Sequence, residues 1–266
     1  MMHGLKLQER QEHTIEAYDI GNIVHDALDM YTKILLAGNR RWQDVDKKEQ
    51  EKIAGECVEK AVSLCKDGIM RDTSRNQYMI KRIHNVVNKT IWAISKQMGQ
   101  GSFDTIESEL IFETVGKAKE TDEELIKLVG KIDRLDGFSD GLKDYVRVVD
   151  YKTGNKELSL SELYYGLQMQ LVIYLKASID KKSKAEKIVV PAGMLYYRIK
   201  DPIFNEKVTP ENFEQKTLES LAMNGLVNGD FPMLEGSDRN LEQNNGVYQP
   251  DYVSSVSNIE TGKKGQ

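Results

Sequence analysis

The sequence predicts an α/β protein in which a helical N-terminal region precedes a mixed sheet flanked by helices. Hydrophobic residues recur every three or four positions through most of the first hundred residues, which is the spacing of helices. Beyond that point they follow the two-residue period of strands. An amphipathic helix then separates the third and fourth predicted strands, and a crossover of this kind joins parallel strands. We therefore expect a sheet of mixed strand direction.

Three helices account for the N-terminal region. Apolar residues spaced along 20–36 predict the first helix, and Asp19 is placed to cap it. The second helix follows the charged stretch 44–52 and ends near Gly68. The third covers about 74–98 and stops at a pair of glycines.

The remaining elements are strands, a crossover helix and a last helix. The predicted strands cover about 109–115, 128–135, 145–152 and 188–199. The crossover helix covers about 160–177, and the last helix runs from Pro210, a residue favoured in a first turn, to Asn224. From Glu235 onward the chain is rich in Ser, Asn, Gln and Gly, and we expect most of it to be loop or disordered.

Composition excludes several classes of protein. The chain has 37 basic and 42 acidic residues, a net charge of −5, which argues against a protein that holds nucleic acid by bulk charge alone, although a local site remains open. The longest apolar run, 188–197, is shorter than the ~20 residues of a membrane span. Two cysteines make no disulfide framework and the start is no signal peptide, so we expect a cytoplasmic protein without a membrane contact.

The third predicted strand, 145–152, carries the first candidate site. Its period places Asp150 and Lys152 on the same face as two valines, and charges at the end of an apolar face predict a cleft. An isolated Asp-x-Lys is most often a salt-bridged strand end. The same pattern also begins at Asp46 and at Asp180, in hydrophilic stretches where a solvated surface explains it.

The preceding strand adds a second carboxylate. A hairpin joins the two strands, so Asp133 is placed beside Asp150. Two adjacent carboxylates repel each other unless a cation lies between them, and a hard divalent metal is the natural partner. Asp136 lies in the predicted turn, where we expect it to cap the turn rather than to bind metal.

These residues resemble a known family when they are taken in order. The features that carry the resemblance are Asp133, Asp150-Tyr151-Lys152, Gln170 with Tyr174, His25, and the segments 4–10, 19–22, 164–168 and 191–197. Together they resemble the RecB-type branch of the PD-(D/E)XK nuclease superfamily, and within it the nuclease domains of AddB (RexB) type from bacterial helicase-nucleases. Each motif is weak alone, but the full order, over roughly residues 4–230, is specific.

The resemblance implies a metal centre with a restriction-endonuclease-like core. Its metal ligands would be His25, Asp133, Asp150 and the backbone carbonyl of Tyr151, holding Mg²⁺ or Mn²⁺. A histidine in an amphipathic helix is usually structural, and the two carboxylates reverse that interpretation for His25. We expect one domain over 1–266, with a helical part to about 100, a catalytic core over about 105–200 and a helix with a largely disordered tail over about 205–266.

The resemblance also assigns catalytic roles. Lys152 would orient the attacking water and offset charge on the phosphate, beside Asp133 and Asp150. Gln170 and Tyr174 are four residues apart and so share one helix face, where they would support the site and contact DNA. An ordinary helix face is the alternative for that pair.

The implied activity is that of a metal-dependent deoxyribonuclease. It would cut single-stranded DNA ends supplied by an AddA-like helicase subunit during double-strand-break repair by recombination. AddB-type domains commonly hold an iron–sulfur cluster on four cysteines, but Cys57 and Cys65 do not match those positions, so we expect the cluster to be absent. The alternatives are a catalytically silent nuclease fold that binds DNA or acts as a scaffold, and an independent RecB-like exonuclease.

Overall fold

The computed structural model describes residues 16–65, 73–117, 124–182, 187–204, 208–229, 231–238, 243–244, 247–248 and 253–255. Its helices are α1 Ala17–Ala37, α2 Lys47–Leu64, α3 Ser74–Gln100, α4 Leu160–Tyr164, α5 Gln170–Lys182, α6 Phe213–Ser220 and α7 Phe231–Ser237. Its strands are β1 Asp104–Lys117, β2 Glu124–Ser139, β3 Lys143–Lys152, β4 Ile188–Arg198, β5 Met223–Val227, β6 Gln243–Asn244, β7 Val247–Tyr248 and β8 Val253–Ser255. The motif at 4–10 and the predicted helix end near Gly68 lie outside the described residues.

The three N-terminal helices are present as predicted, but Asp19 is not the N-cap residue of the first. Helix α1 begins after Glu16, and the carboxylate of Asp19 accepts a hydrogen bond of 2.9 Å from the Glu16 N–H. Asp19 is therefore the third residue of the helix and reaches back to its start, as the acidic member of a capping box does. The described residues include no helix with the length and apolar character of a bilayer span.

The main sheet has mixed strand direction, which confirms the predicted α/β class. Within the described residues its strand order is β1-β2-β3-β4-β5-β8. Strands β1, β2 and β3 pair antiparallel, β3 and β4 pair parallel, and β5 is antiparallel to β4. The parallel pairing of β3 with β4 is the one that the crossover helix predicted.

The crossover differs from the prediction, because the helix expected over 160–177 is broken into α4 and α5. Gly166 lies between α4 and α5 with a φ of 75°, a left-handed conformation that glycine adopts without a steric cost. The N–H of Leu167 then bonds to the Glu162 carbonyl at 2.8 Å and closes the turn. Helix α5 consequently begins afresh at Gln170, which points its first residues at the end of β3.

The C-terminal part contains more structure than the sequence predicted. The helix expected over 210–224 ends early, and the following residues form β5 instead. At Gly225 a Cβ would stand 2.2 Å from the Met194 carbonyl oxygen, so this close approach of β5 to β4 requires glycine. The expectation of loop or disorder after Glu235 is wrong for β8, which extends the sheet edge.

The core consists of two apolar clusters, one on each face of the sheet. Val149 and Tyr151 pack with residues of α1, α2 and α3 on one face. Val146 and Val148 pack with Leu171 of α5 on the other. The alternation predicted for β3 is therefore correct, and it sends the side chains of residues 150 and 152 toward α5.

Charged side chains of β2 and β3 form a buried cluster that includes Asp136. The turn-capping role expected of Asp136 is therefore wrong. This residue is in β2, pairs with Arg147 in register and is fully buried. Its carboxylate accepts hydrogen bonds from Arg147 Nε at 3.0 Å, Arg134 Nη2 at 3.2 Å and the Thr105 hydroxyl at 2.9 Å. The hairpin turn comes later, and Asp140 caps it by accepting from two backbone N–H groups.

Candidate active site

The hairpin of β2 and β3 brings the two predicted carboxylates together. The pairing of Arg134 with Val149 continues one step to place Asp133 opposite Asp150. Oδ2 of Asp133 accepts a hydrogen bond of 2.7 Å from the backbone N–H of Tyr151. The side chain of Asp150 is 2% exposed. The two acids thus sit at the end of the hairpin, as the strand pairing in the sequence predicted.

His25 reaches the same place from α1. Its Nδ1 lies 3.5 Å from Oδ2 of Asp133, and its ring stands edge-on to the ring of Tyr151 with centroids 5.9 Å apart. Burial favours the neutral imidazole, but the hydrogen bond to Asp133 and the charges of Asp133 and Asp150 outweigh it and raise the pKa of His25. Helix α1, which packs on one face of the sheet, therefore supplies a side chain to a site on the sheet.

Lys152 and Gln170 form a small polar network with Asp150. The Lys152 ammonium pairs with the Asp150 carboxylate and donates to Oε1 of Gln170 at 3.2 Å. Nε2 of Gln170 donates to Oδ1 of Asp150 at 2.8 Å and contacts the Tyr174 hydroxyl at 2.9 Å. The Gln170 amide therefore holds both the Asp150 carboxylate and the Lys152 ammonium. The helix face that Gln170 and Tyr174 were predicted to share points into the site.

The electrostatics of Asp150 suit a divalent cation. Burial, and then the charge of Asp133, raise the pKa of Asp150 to about 6 against the opposing charge of Lys152. Its Oδ2 is buried and pairs with the Lys152 ammonium. Hard oxygen donors of this kind fit Mg²⁺ or Mn²⁺. Among the described residues, no three His, Cys, Asp or Glu side chains come together as a group that could hold a metal ion, so the fit rests on the chemistry of the two carboxylates alone.

Comparison with known proteins decides the family. The family model of the PD-(D/E)XK nuclease superfamily matches residues 1–239. The chain belongs to this superfamily. Among curated relatives, the B subunit of the ATP-dependent helicase/deoxyribonuclease of Clostridioides difficile strain 630 is 35% identical over 97% of this chain and 23% of its own length. The proteins of the same name from Lachnoclostridium phytofermentans and Thermoanaerobacter pseudethanolicus are 33% and 32% identical, over 100% and 91% of the chain and 22% of each relative.

The match confirms the resemblance drawn from the motifs. It also shows how much of the relatives this chain corresponds to. The chain spans less than a quarter of the length of these relatives. The fold expected of a PD-(D/E)XK nuclease, a mixed sheet between helices, is the fold observed.

Glu109 lies beside the candidate site, and the sequence predicted it at the start of a strand, as an outer metal ligand or a supporting acid. It lies within β1, and the register on either side puts it opposite Asp133. Its φ is 53°, a left-handed value that costs a non-glycine residue about 1–3 kcal/mol. Its carboxylate pairs with Lys131, two residues before Asp133. No sequence pattern signals the backbone conformation at this position.

Tyr196 is a residue of the site to which sequence reasoning gave no role. It pairs in register with Asp150 across β3 and β4, it is fully buried, and its hydroxyl has no hydrogen-bond partner among the described residues. Lys152 Nζ lies 5.5 Å and Lys156 Nζ 5.7 Å from the centre of its ring. Burial, followed by the charge of Asp150, raises the pKa of Tyr196 to about 12, so the hydroxyl keeps its proton. Strand alternation would have found it once the parallel pairing was known.

Proposed function

We propose that the chain is a nuclease domain that hydrolyses DNA phosphodiester bonds with Mg²⁺ or Mn²⁺. The observation that carries the proposal is the pairing of Asp133 with the buried Asp150, with Lys152 and Gln170 fixed beside them. A purely structural protein has no need of two carboxylates that repel each other on neighbouring strands. We further propose that residues 1–266 act as one domain.

Four groups would hold the metal: His25, Asp133, Asp150 and the carbonyl of Tyr151. A bound divalent metal lowers the pKa of its water and polarises the phosphate. The chain already fixes two of these groups, because the Tyr151 N–H holds Asp133 and the Gln170 amide holds Asp150.

Lys152 would act on the reacting phosphate as a positioned charge. Its ammonium is held by Asp150 and by Oε1 of Gln170, and it lies against the ring of Tyr196. A cation fixed before the reaction offsets charge that develops on the phosphate without reorganisation at that moment. The buried apolar wall of Tyr196 strengthens this effect because it keeps water from one side.

The setting of the reaction is proposed from the names of the relatives. They are named as the B subunit of a helicase/deoxyribonuclease. We propose that an AddA-like helicase subunit supplies single-stranded DNA ends to this domain during double-strand-break processing in the cytoplasm. A net charge of −5 suits a domain that receives DNA from a partner better than one that captures it unaided. The absence of an iron–sulfur cluster stays a prediction.

A metal titration tests the proposed centre. Mn²⁺ at about 100 times its Kd stabilises a folded protein by about 2.7 kcal/mol, which raises the Tm of a domain of this size by roughly 5–11 °C. We expect that rise in the native chain and not in Asp150→Asn. Asp180→Asn is the matched control, because Asp180 is an exposed acid that pairs only with a neighbour on its own helix, Lys176, in the described structure.

The rise in Tm on adding Mn²⁺ is the quantity to compare, not the Tm itself. Asp150→Asn removes a buried charge that Asp133 repels, so the metal-free variant can be more stable than the native chain. Equal metal-dependent rises in the native chain, Asp150→Asn and Asp180→Asn would contradict the proposed centre.

A further inference from the structure

Three large apolar side chains are exposed together in the turn between α4 and α5. Tyr164, Tyr165 and Leu167 are 84%, 75% and 74% exposed. The two tyrosine rings stand edge to face with centroids 5.3 Å apart. Single exposed apolar residues are ordinary on a protein surface, but a cluster of this kind marks a place of contact.

The turn that displays these rings is held in one conformation. The N–H of Tyr165 bonds to the Ser161 carbonyl at 3.0 Å. The amide of Gln168 accepts from the Ser159 N–H at 3.0 Å and donates to the Glu157 carbonyl at 3.0 Å and to the Glu162 carboxylate at 2.6 Å. A surface ordered in advance loses less conformational entropy when it binds. The hydrogen bonds of the turn therefore keep the two tyrosine rings exposed.

The turn borders the candidate active site. Gln170, which holds Asp150, follows the turn directly as the first residue of α5. Glu162, two residues before the first of the rings, lies near enough to the Tyr196 hydroxyl for its charge to contribute to the raised pKa of that residue. The turn that carries the rings thus forms part of the rim of the candidate site.

Lys156 places a second cation on this rim. It is exposed, its Nζ lies 5.7 Å from the centre of the Tyr196 ring, and Lys152 lies against the same ring at 5.5 Å. Lys156 makes no ion pair with the residues that the structure describes. Two ammonium groups beside Tyr196 and a nearby turn with two exposed aromatic rings suit a polyanion that also carries flat, stackable groups.

We propose that Tyr164 and Tyr165 are a stacking platform for the unpaired bases of single-stranded nucleic acid, whose phosphates pass Lys156 on the way to Asp150 and Lys152. This inference rests on the proposed nuclease function and adds the residues that would hold the bases of its single-stranded substrate. Bases in a duplex are stacked on one another and cannot reach the rings, whereas each base of a single strand offers a free face. A protein partner would cover the apolar rings but would leave the Lys156 ammonium without a role.

Equilibrium binding without chemistry tests the platform. Three fluorescent ligands are compared in EDTA, namely an oligothymidylate, an oligomer with the same number of phosphates but no bases, and a blunt duplex. Stacking of one base on an aromatic side chain is worth about 1–3 kcal/mol, or roughly 5- to 150-fold in Kd. We expect the double variant Tyr164→Ala/Tyr165→Ala to weaken oligothymidylate binding by at least about fivefold, with the base-free oligomer and the duplex unchanged.

Two further variants make the result specific to stacking. The double variant Tyr164→Phe/Tyr165→Phe keeps both ring faces and should bind oligothymidylate as the native chain does. The double variant Tyr18→Ala/Tyr78→Ala removes two exposed rings, on α1 and α3, that the structure places in other helices, and it should also leave the Kd unchanged. The unfolding temperatures of all variants check that the fold is retained.

Several outcomes overturn the platform. These are equal Kd values for the native chain and Tyr164→Ala/Tyr165→Ala, an equal loss on the base-free oligomer, or no binding of oligothymidylate by the native chain. Equal Kd values would assign the rings to a protein contact instead. If the native chain also cuts DNA in a manner that depends on Lys152, the platform alone is overturned; if binding responds to the tyrosines in a chain that cuts nothing, the proposed function alone is overturned.

Discussion

Replacement of Asp136 with Asn would leave two buried arginines without the carboxylate that they share. Arg134 and Arg147 are 1% and 2% exposed, and both bond to Asp136. The amide keeps the size of the side chain and removes its charge. Breaking a buried ion pair from one side costs roughly 3–5 kcal/mol, because the remaining charge stays buried without compensation. At about 2–4 °C per kcal/mol, the expected fall in Tm is roughly 6–20 °C.

The effect should depend on pH in a defined direction. Burial alone would raise the pKa of Asp136, but the charges of Arg134 and Arg147 outweigh it and lower the pKa below its ordinary value of 3.8. A group whose pKa falls on folding contributes stability above its unfolded pKa and loses it as the pH falls through the folded pKa. The difference in free energy of unfolding between the native chain and Asp136→Asn should therefore have its full value at pH 7 and decrease only in strong acid.

Urea unfolding followed by circular dichroism, at pH 7 and at steps into the acid range, measures this difference. Asp180→Asn is the control, because exposed pairs such as the one between Asp180 and Lys176 contribute only about 0–1 kcal/mol. A free energy of unfolding for Asp136→Asn within about 1 kcal/mol of the native value at pH 7 would refute this account of the buried cluster.

Two other predictions concern packing and thiol reactivity. Gly101→Ala should destabilise the chain by about 1–3 kcal/mol, since its Cβ would stand 2.2 Å from the Ser237 carbonyl oxygen, whereas Gly55→Ala in α2 has open space and should stabilise by about 0.5–1 kcal/mol. Thermal unfolding of the two variants side by side checks the opposite signs, and shifts of the same sign would contradict the packing. Burial raises the pKa of Cys57 to about 11, so iodoacetamide at pH 8 should label the half-buried Cys65 first, as read by mass spectrometry. Equal labelling of both thiols in the folded chain would contradict the burial of Cys57.

The sequence predicted those parts of the site that depend on neighbouring strands and on periodicity. Asp133 and Asp150 meet because consecutive strands with a short turn pair with each other, and a period of two fixes which side chains share a face. Gln170 and Tyr174 share a face because they are one helical turn apart. His25 came from the family resemblance, since no pattern in the sequence of its helix indicates that this side chain reaches the carboxylates.

The remaining parts depend on distant contacts or on single backbone angles. Strand β5 carries a glycine and an asparagine, and its strand conformation comes from pairing with β4. The apolar pattern continued through Gly166, so it hid the break that separates α4 from α5. Asp136 lies among turn-forming residues in the sequence, and its burial comes from Arg134 and Arg147, which local pattern does not connect to it.

Cleavage of labelled single-stranded DNA tests the central claim most directly. The native chain, Lys152→Ala and Lys176→Ala are incubated with Mg²⁺ or Mn²⁺ and, separately, with EDTA. Lys176 is the matched control because it is an exposed lysine on α5 that pairs with Asp180. We predict cleavage by the native chain and by Lys176→Ala, none in EDTA, and a rate at least about 10²-fold lower in Lys152→Ala. Cleavage that persists in Lys152→Ala or in EDTA, or a native chain that cuts nothing, would contradict the account.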